Sequence, residues 1–396
     1  MDGGNDDSAS RRGRLRLSAV VAIPARNEER DLPACLEALA QQTAVDGGKT
    51  PAFGVLLLLN NCDDSSAEIA ARFARRLAPP FRVVSRPLSP GESHAGGARR
   101  LAMDLAADWL QRDGASPRLL LTTDADSRVA PTWVAENLAA IASGAEAVAG
   151  DIELDASDHA RLPAALHARG ALEDRYGRQL IEIGALLDPE AHNPWPHHAT
   201  ISGASLGVTL AAYRRIGGLP AMPIGEDKAL VQALRREDIR VRFAPGVRVV
   251  TSGRLTGRAA GGTADTIRLR CEEPAAPCDA FLEPLVFALA RALWRGRLRK
   301  AYVTGDPPAP IGGAIDQTRL LKAMNASPSF GRLWEDFEAI HLPRGRLLTP
   351  ADLPGEILRA DRTLARLRES SASRDVEPVR VEPSTPDVAQ DRRRLA

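Results

Sequence analysis

Aromatic side chains make up only 4% of the 396 residues, so a core must be built mainly from Ala, Leu, Val and Ile. The hydrophobic fraction of 44% is enough for one of considerable size. Cysteine is scarce: Cys35, Cys62, Cys271 and Cys278 stand without CxxC spacing, which suggests neither a zinc knuckle nor a disulfide framework. Reduced thiols are the default expectation. A charge excess is missing too: 52 Lys and Arg against 51 Asp and Glu leave a formal +1, with no global pull toward nucleic acid or anionic lipid. The first twenty residues lack the apolar run of a secretory signal, roughly 7–15 residues long. No stretch approaches the ~20 apolar residues of a membrane span. Phe281–Trp294 comes nearest, but Glu283, Pro284 and Arg291 interrupt it and it reads as a core helix. The expected location is the cytoplasm, with peripheral contact at the inner face of the cytoplasmic membrane left open.

What is present is an alternation of apolar runs with helical periodicity, which predicts an α/β fold with a parallel sheet. Residues 1–16 read as a flexible lead-in. Strands are predicted at Leu17–Ile23, Phe53–Leu59, Phe81–Ser85, Arg118–Thr122 and Ala145–Ile152. The helices between them are predicted at Glu28–Gln42, Ser65–Leu77, Gly96–Gln111 and Pro131–Ala142. Three βα units in a row argue for a Rossmann-like, nucleotide-binding half-sheet, whose ligands sit at the carboxyl ends of the strands. A long helical segment, Asp158–Ile183, then precedes a Pro/His-rich loop at 193–200 and a Gly-rich strand and helix. A helix at Glu226–Arg236 and two strands, Val241–Phe243 and Val247–Thr251, complete this region. Past residue 265 the pattern is all helical, at 278–295, 316–326, 327–340 and 352–369. From Ser370 the tail is polar and expected to be disordered.

The sharpest chemical signal is LLLTTDADS, residues 119–127. Two carboxylates one residue apart end a buried strand, and in an extended segment Asp124 and Asp126 point the same way. Hard oxygen ligands supplied in ones and twos suit Mg²⁺ or Mn²⁺ beside phosphate and water. By itself the pair is equally a polar turn. Other motifs accompany it. The first strand runs into AIPARNEE, the second into NNCDDSS, GESHAGGARR opens a helix, and IGED starts another with two acids at its positive end.

In these segments the sequence resembles the family-2 glycosyltransferases with the GT-A fold. Pro24, Asn27 and Glu28 match the family's P-x-x-N-E segment. Asn60, Asn61, Asp63 and Asp64 approximate its Asp-rich second-strand loop, and Gly96–Arg99 its G-x-A-R element. Asp124–Asp126 match D-x-D, Ser202–Ala204 the S-G-A acceptor-side strand, and Glu226–Asp227 the E-D pair. The resemblance runs from about residue 17 to 255. It implies a nucleotide-diphospho-sugar transferase fold, a Rossmann-like mixed sheet flanked by helices, over 17–264. The nucleotide-binding half would be 17–152 and the acceptor half 153–264, followed by a helical extension at 265–369 and a tail at 370–396.

The resemblance further implies a hexosyltransferase-type enzyme that moves sugar from a nucleotide-diphosphate sugar to a hydroxyl of a glycan, lipid or small molecule. Such an enzyme would serve cell-envelope, exopolysaccharide or glycolipid synthesis. Pro24, Ala25, Arg26, Glu28, Asn61, Asp63, Arg99, Asp124 and Ala125 would bind the donor. Asp126 would be the direct metal ligand, with Asp124 reaching the ribose or the metal through water. Asp227 would take the proton of the attacking hydroxyl, giving inversion, and Glu226 would shape the acceptor site. The second-strand loop departs from the commoner D-D-G-S-x-D, which leaves the base contact open. The stretch VVTSGRLTGR, 249–258, lacks the histidine that completes some metal shells, and His197 and His198 read as loop histidines. Arg254 and Arg258 read either as surface charge or as guanidinium groups that reach the diphosphate. The Q-x-x-R-W element of processive members is absent. The competing readings are a retaining GT-A transferase acting on a small phosphorylated acceptor, a nucleotidyltransferase, and a non-catalytic nucleotide-sugar-binding protein. The basic helix end WRGRLRK reads as charge complementing a helix terminus, or more boldly as a lipid contact.

Overall fold

The computed structural model describes residues 16–375, apart from 77–78, 255–260, 307 and 309–315. The predicted lead-in and most of the predicted tail therefore lie outside the described residues.

Apolar runs set the centre of the fold. β1 (Leu17–Ala25) and β2 (Phe53–Leu59) are buried almost throughout, as strands covered on both faces must be. α1 (Leu32–Ala40) lies between them in sequence, and α2 (Ser66–Phe73) leads to β3 (Phe81–Ser85), a largely exposed edge strand. α3 (Ala95–Asp113) returns to β4 (Gly114–Thr122). β5 (Ser127–Val129), α4 (Trp133–Ala142), β6 (Ala147–Leu154), the short α5 (Ala156–Ala160) and α6 (Ala164–Leu187) follow. Then come β7 (Leu206–Thr209), α7 (Leu210–Arg215), α8 (Glu226–Arg236) and β8 (Val241–Thr251).

One eight-stranded sheet results, in the order β3-β2-β1-β4-β7-β6-β8-β5. β1 to β4 are mutually parallel, and β7 runs antiparallel to both β4 and β6. β8 is parallel to β6, and β5 is antiparallel to β8. One apolar layer packs α3, α7 and α8 against the sheet, through residues such as Met103, Tyr213 and Leu230. The opposite layer packs α1 and α4, with Leu36 and the fully buried Trp133.

Beyond the sheet stand α9 (Thr263–Glu272), α10 (Leu285–Thr304), α11 (Gln317–Ala326), α12 (Phe330–His341) and α13 (Leu353–Asp375). Tyr176, Leu180 and Ile183 of α6 share a core with Leu285 of α10 and with Leu353, Ile357 and Leu364 of α13. A second helical core joins Trp294 and Leu298 of α10 to Phe330, Leu333 and Phe337 of α12. No helix among the described residues is long and apolar enough to cross a membrane.

Four local differences from the sequence reading have physical causes. α1 begins at Leu32 rather than Glu28, because Asn27 takes a left-handed φ of 54° and Pro33 suits only a first turn. β5, unforeseen, forms because Ser127–Val129 pair with the end of β8. The two strands expected at 241–243 and 247–251 are one, its register shifting where Gly150 pairs with Ala244 but Asp151 with Arg248. Residues 370–375, expected to be disordered, continue α13. Just before them Arg368 clamps Glu182 of α6 with two bonds of 2.7 Å, holding the helix to its neighbour.

Candidate active site

The carboxyl ends of the parallel strands β1, β2 and β4 gather three loops. Their first task is to hold one another. Asn27 and Asn61 both adopt left-handed backbone conformations, which Asn tolerates better than most residues. The Asn27 side chain donates to Asp63 Oδ1 at 2.5 Å and accepts from the Asp63 N–H at 2.9 Å. The Asn61 amide closes on the backbone of Leu88, donating at 3.2 Å and accepting at 2.9 Å. Arg26 is exposed and reaches Ser93, while Ala25 is buried and accepts from the Asn60 N–H. Pro24 remains within β1, opposite Leu58. The donor-side residues read from sequence thus lie on one connected rim.

Asp124 and Asp126 flank a turn, closed by the Ser127 N–H on the Asp124 carbonyl at 3.2 Å. The extended alternation expected for them is not how the chain brings them together: β4 has ended at Thr122. Ala125 between them is buried. Each carboxylate carries a guanidinium. Arg99 Nη2 meets Asp124 Oδ1 at 2.6 Å, and Arg254 Nη2 meets Asp126 Oδ2 at 2.9 Å.

Arg99 is the hub. Buried to 5% exposure, it donates from Nε to Glu226 at 3.0 Å and from Nη1 to Thr122 Oγ1 at 3.1 Å and the Gly203 carbonyl at 2.9 Å. One planar fork therefore joins the D-x-D turn, the S-G-A segment and the E-D pair, a geometry that Arg supplies and Lys does not. The same contact explains a glycine. A Cβ at Gly203 would sit 2.4 Å from the Arg99 guanidinium carbon.

Arg254 occupies the other side. Its two terminal nitrogens hold Glu28 at 3.1 Å each, and Nη1 lies 3.5 Å from Asp31. The Glu28 N–H is itself fixed by Ser66 Oγ at 3.0 Å. Three acids thus converge on one arginine. Burial raises the Asp126 carboxyl, Asp124 adds to the rise, and Arg254 only partly offsets it, leaving the group near a pKa of about 7. Cys35, buried beneath the turn, is held well above an ordinary thiol by burial and by Asp126, so it is no nucleophile.

Across the hub, Gly225 takes a left-handed φ of 76° and starts α8, setting Glu226 and Asp227 in its first turn. Glu226 is buried against Arg99, whereas Asp227 is half-exposed. Asp227 accepts from the Gly203 N–H at 3.1 Å and the Lys228 N–H at 2.7 Å. His198 stands elsewhere. Its Nδ1 accepts from the Thr200 N–H, its ring meets the Phe243 edge, and burial lowers its pKa. His197 bonds the His198 carbonyl. Arg258 lies outside the described residues. Sequence reasoning missed Asp31, Ser66 and Thr122; of these only Asp31, an acid at a helix start, left a signal.

Residues 20–201 match the family model described as glycosyl transferase family 2. Residues 20–201 are a glycosyl transferase family 2 domain. That match makes the matched stretch a glycosyltransferase domain, and the mixed sheet it belongs to is followed by a helical region. No curated protein matches the chain. Among solved structures, S. aureus TarS 1–349 in complex with UDP is 12% identical over 78% of each chain, with a TM-score of 0.42. The mannosyltransferase PcManGT from Pyrobaculum calidifontis, with GDP-Man and Mn²⁺, is 17% identical over 82% of this chain and 84% of its own, at 0.40. Glucosyl-3-phosphoglycerate synthase from Mycobacterium tuberculosis is 19% identical over 66% and 82%, at 0.35. Similarities this distant do not say what the family-2 domain of this chain binds.

Proposed function

We propose that the enzyme transfers a sugar from a nucleotide-diphosphate sugar to an acceptor hydroxyl, with inversion, one linkage per encounter, and with Mg²⁺ or Mn²⁺. The observation that supports this is the Arg99 fork, which ties the D-x-D turn to the Glu226–Asp227 pair in one hydrogen-bonded network. Donor-side and acceptor-side carboxylates are then held at a fixed separation by a buried cation, as a displacement across one anomeric carbon requires.

The residues fit a divalent cation. With only Asp124 and Asp126 offered by the turn, phosphate and water would complete the shell, as suits Mg²⁺ or Mn²⁺. Glu28, Asp31 and Asp126 share a single arginine, Arg254, which leaves three carboxylates against one cation on that side of the turn. Asp126, with Asp124, would hold the cation, which when bound stabilises the leaving diphosphate as a Lewis acid.

The chain's own groups do the rest. Arg99 keeps Asp124 and Glu226 in place. Asp227 receives the proton of the acceptor hydroxyl; the Gly203 and Lys228 N–H groups orient its carboxylate and leave lone pairs for that proton. Arg254, freed from Asp126, is suited to phosphate oxygens. A thermal-shift screen of UDP-, GDP- and dTDP-sugars, each with and without Mn²⁺, tests the reading. Stabilisation by one nucleotide class only with metal supports it and identifies the donor class. No nucleotide-dependent shift with metal present would sink it.

A further inference from the structure

A cleft of ≈ 360 Å³ opens between α5, α6 and α9, outside the Arg99 network. That volume is within the roughly 300–1,000 Å³ usual for small-molecule sites. The sheet register places it beside the chemistry. Leu154, on its wall, pairs with Thr251, and Thr251 pairs with Ser127, the residue after Asp126. Two strand spacings, about 10 Å, thus separate its wall from the D-x-D turn. α5 is also tied to the loop that bears Arg254: Asp158 accepts from the Gly253 N–H at 2.9 Å and the Ser252 hydroxyl at 3.3 Å.

The lining is mixed in a particular way. Leu162, Leu166 and Ile267 give an apolar surface, and the His159 and His167 rings stand edge-to-face with centroids 4.4 Å apart. Arg270, the cation of the lining, is tied to Glu173 at 3.1 Å, and Glu173 is further held by Arg169 at 2.9 Å. Asp174 also lines the cleft, and burial raises its carboxyl against the pull of Arg178. The two imidazoles aside, Glu173, Asp174 and Arg270 sum to a formal charge of −1 on the lining. An anionic ligand would meet Asp174, while Arg270, the guanidinium on the lining, is already committed to Glu173. A neutral ligand rich in hydroxyls meets acceptors for its protons, imidazole faces, and aliphatic surface for its C–H face.

We propose that this cleft is an acceptor subsite for a neutral saccharide, not for a phosphorylated or carboxylated acceptor. The assignment of an acceptor role rests on the transfer reaction proposed above; the preference for neutral saccharide rests on the cleft alone. Gly170 offers the test, since it lines the cleft and an added Cβ there meets nothing within 4 Å. Gly170→Trp fills the space without a backbone clash.

Saturation-transfer NMR and calorimetry on the full chain should detect cellobiose, maltose or lactose binding to the unaltered protein, and detect glycerol 3-phosphate more weakly or not at all. Gly170→Trp should weaken the saccharide at least tenfold and Asp174→Asn several-fold, with the melting temperature of each variant separating a lost site from a lost fold. Binding of none of the neutral saccharides, tighter binding of glycerol 3-phosphate, or undiminished saccharide affinity in folded Gly170→Trp would each overturn the proposal. Nucleotide thermal shifts on the same protein report the transfer reading independently. If they fail while saccharide binding persists at the cleft, the donor assignment is wrong and the saccharide site stands.

Discussion

Replacing Arg254 and Asp227 would separate the parts of the proposed reaction. Asp227 bonds only backbone N–H groups among the described residues, so Asp227→Asn preserves shape and removes the proposed proton acceptor. General-base loss of this kind costs about 10²–10⁴ in rate. The expected result is a fall of at least 100-fold in kcat with nucleotide affinity unchanged; a normal kcat would remove Asp227 from its role. Arg254 has the opposite signature. It sits on Asp126, Glu28 and Asp31, where a divalent cation would compete with it. Arg254→Ala should bind Mn²⁺ several-fold more tightly without donor, read by calorimetry, while turning over more slowly with donor. Weaker metal binding in the variant would show that the arginine does not compete. At this scale the sequence was informative about identities and less so about partners. The sequence motifs put Asp124, Asp126, Glu226 and Asp227 forward as candidates, and the structure brings Asp124 and Glu226 onto one arginine. Arg99 was expected among the donor-binding residues but not as the hub of this network. The four oxygens that take its protons come from Asp124, Thr122, Gly203 and Glu226, and no local pattern in the sequence brings these together.

At the scale of elements, α3 and α8 fix the pocket by touching where a glycine permits it. A Cβ at Gly96 would lie 1.9 Å from the Met222 carbonyl oxygen, in the loop that leads into α8. Gly96→Ala must push that loop, and overpacking against backbone costs about 1–3 kcal/mol. We expect a lower melting temperature together with a reduced kcat, since Glu226 and Asp227 follow the same loop; an unaltered kcat would show that the loop yields without moving them. The chain after α6 supplies a pH dependence. Asp188 and Glu190 are clasped by Arg295 and Arg299 of α10 at distances of 2.5–3.1 Å. Burial alone would raise the Glu190 carboxyl, but the two guanidinium groups outweigh it and bring it down to about 2. A depressed carboxyl stabilises the fold fully above its unfolded value and loses that contribution as pH falls. Urea unfolding should therefore show stability declining from about pH 4.5 toward 2, and Glu190→Gln should flatten that decline. Helix and strand positions here were mostly readable from periodicity. β5 was not, because three residues become a strand only when a partner, β8, lies alongside.

At the scale of the molecule, the helices after residue 265 are bonded to the sheet region rather than strung behind it. Asp238, past the end of α8, accepts the N–H groups of Phe330 and Gly331 at 2.7 Å each, and Ser329 donates to the Arg236 carbonyl. Gly331 lies so close to the Arg235 carbonyl that a Cβ would stand 1.9 Å away. A chain ended at residue 264 should consequently be aggregated or markedly less stable; a soluble, cooperatively melting fragment would contradict this. The sequence announced that helices follow the sheet but not where they dock, since docking depends on faces far apart in the chain. The shared core of α6 and α13 also has a consequence in time. Tyr176, Leu180 and Ile183 are made early, and Leu353, Ile357 and Leu364, which cover them, nearly two hundred residues later. While the ribosome adds the intervening segment, at roughly 5–20 residues per second, α6 waits some ten seconds or more with its apolar face open, a natural holding point for a chaperone.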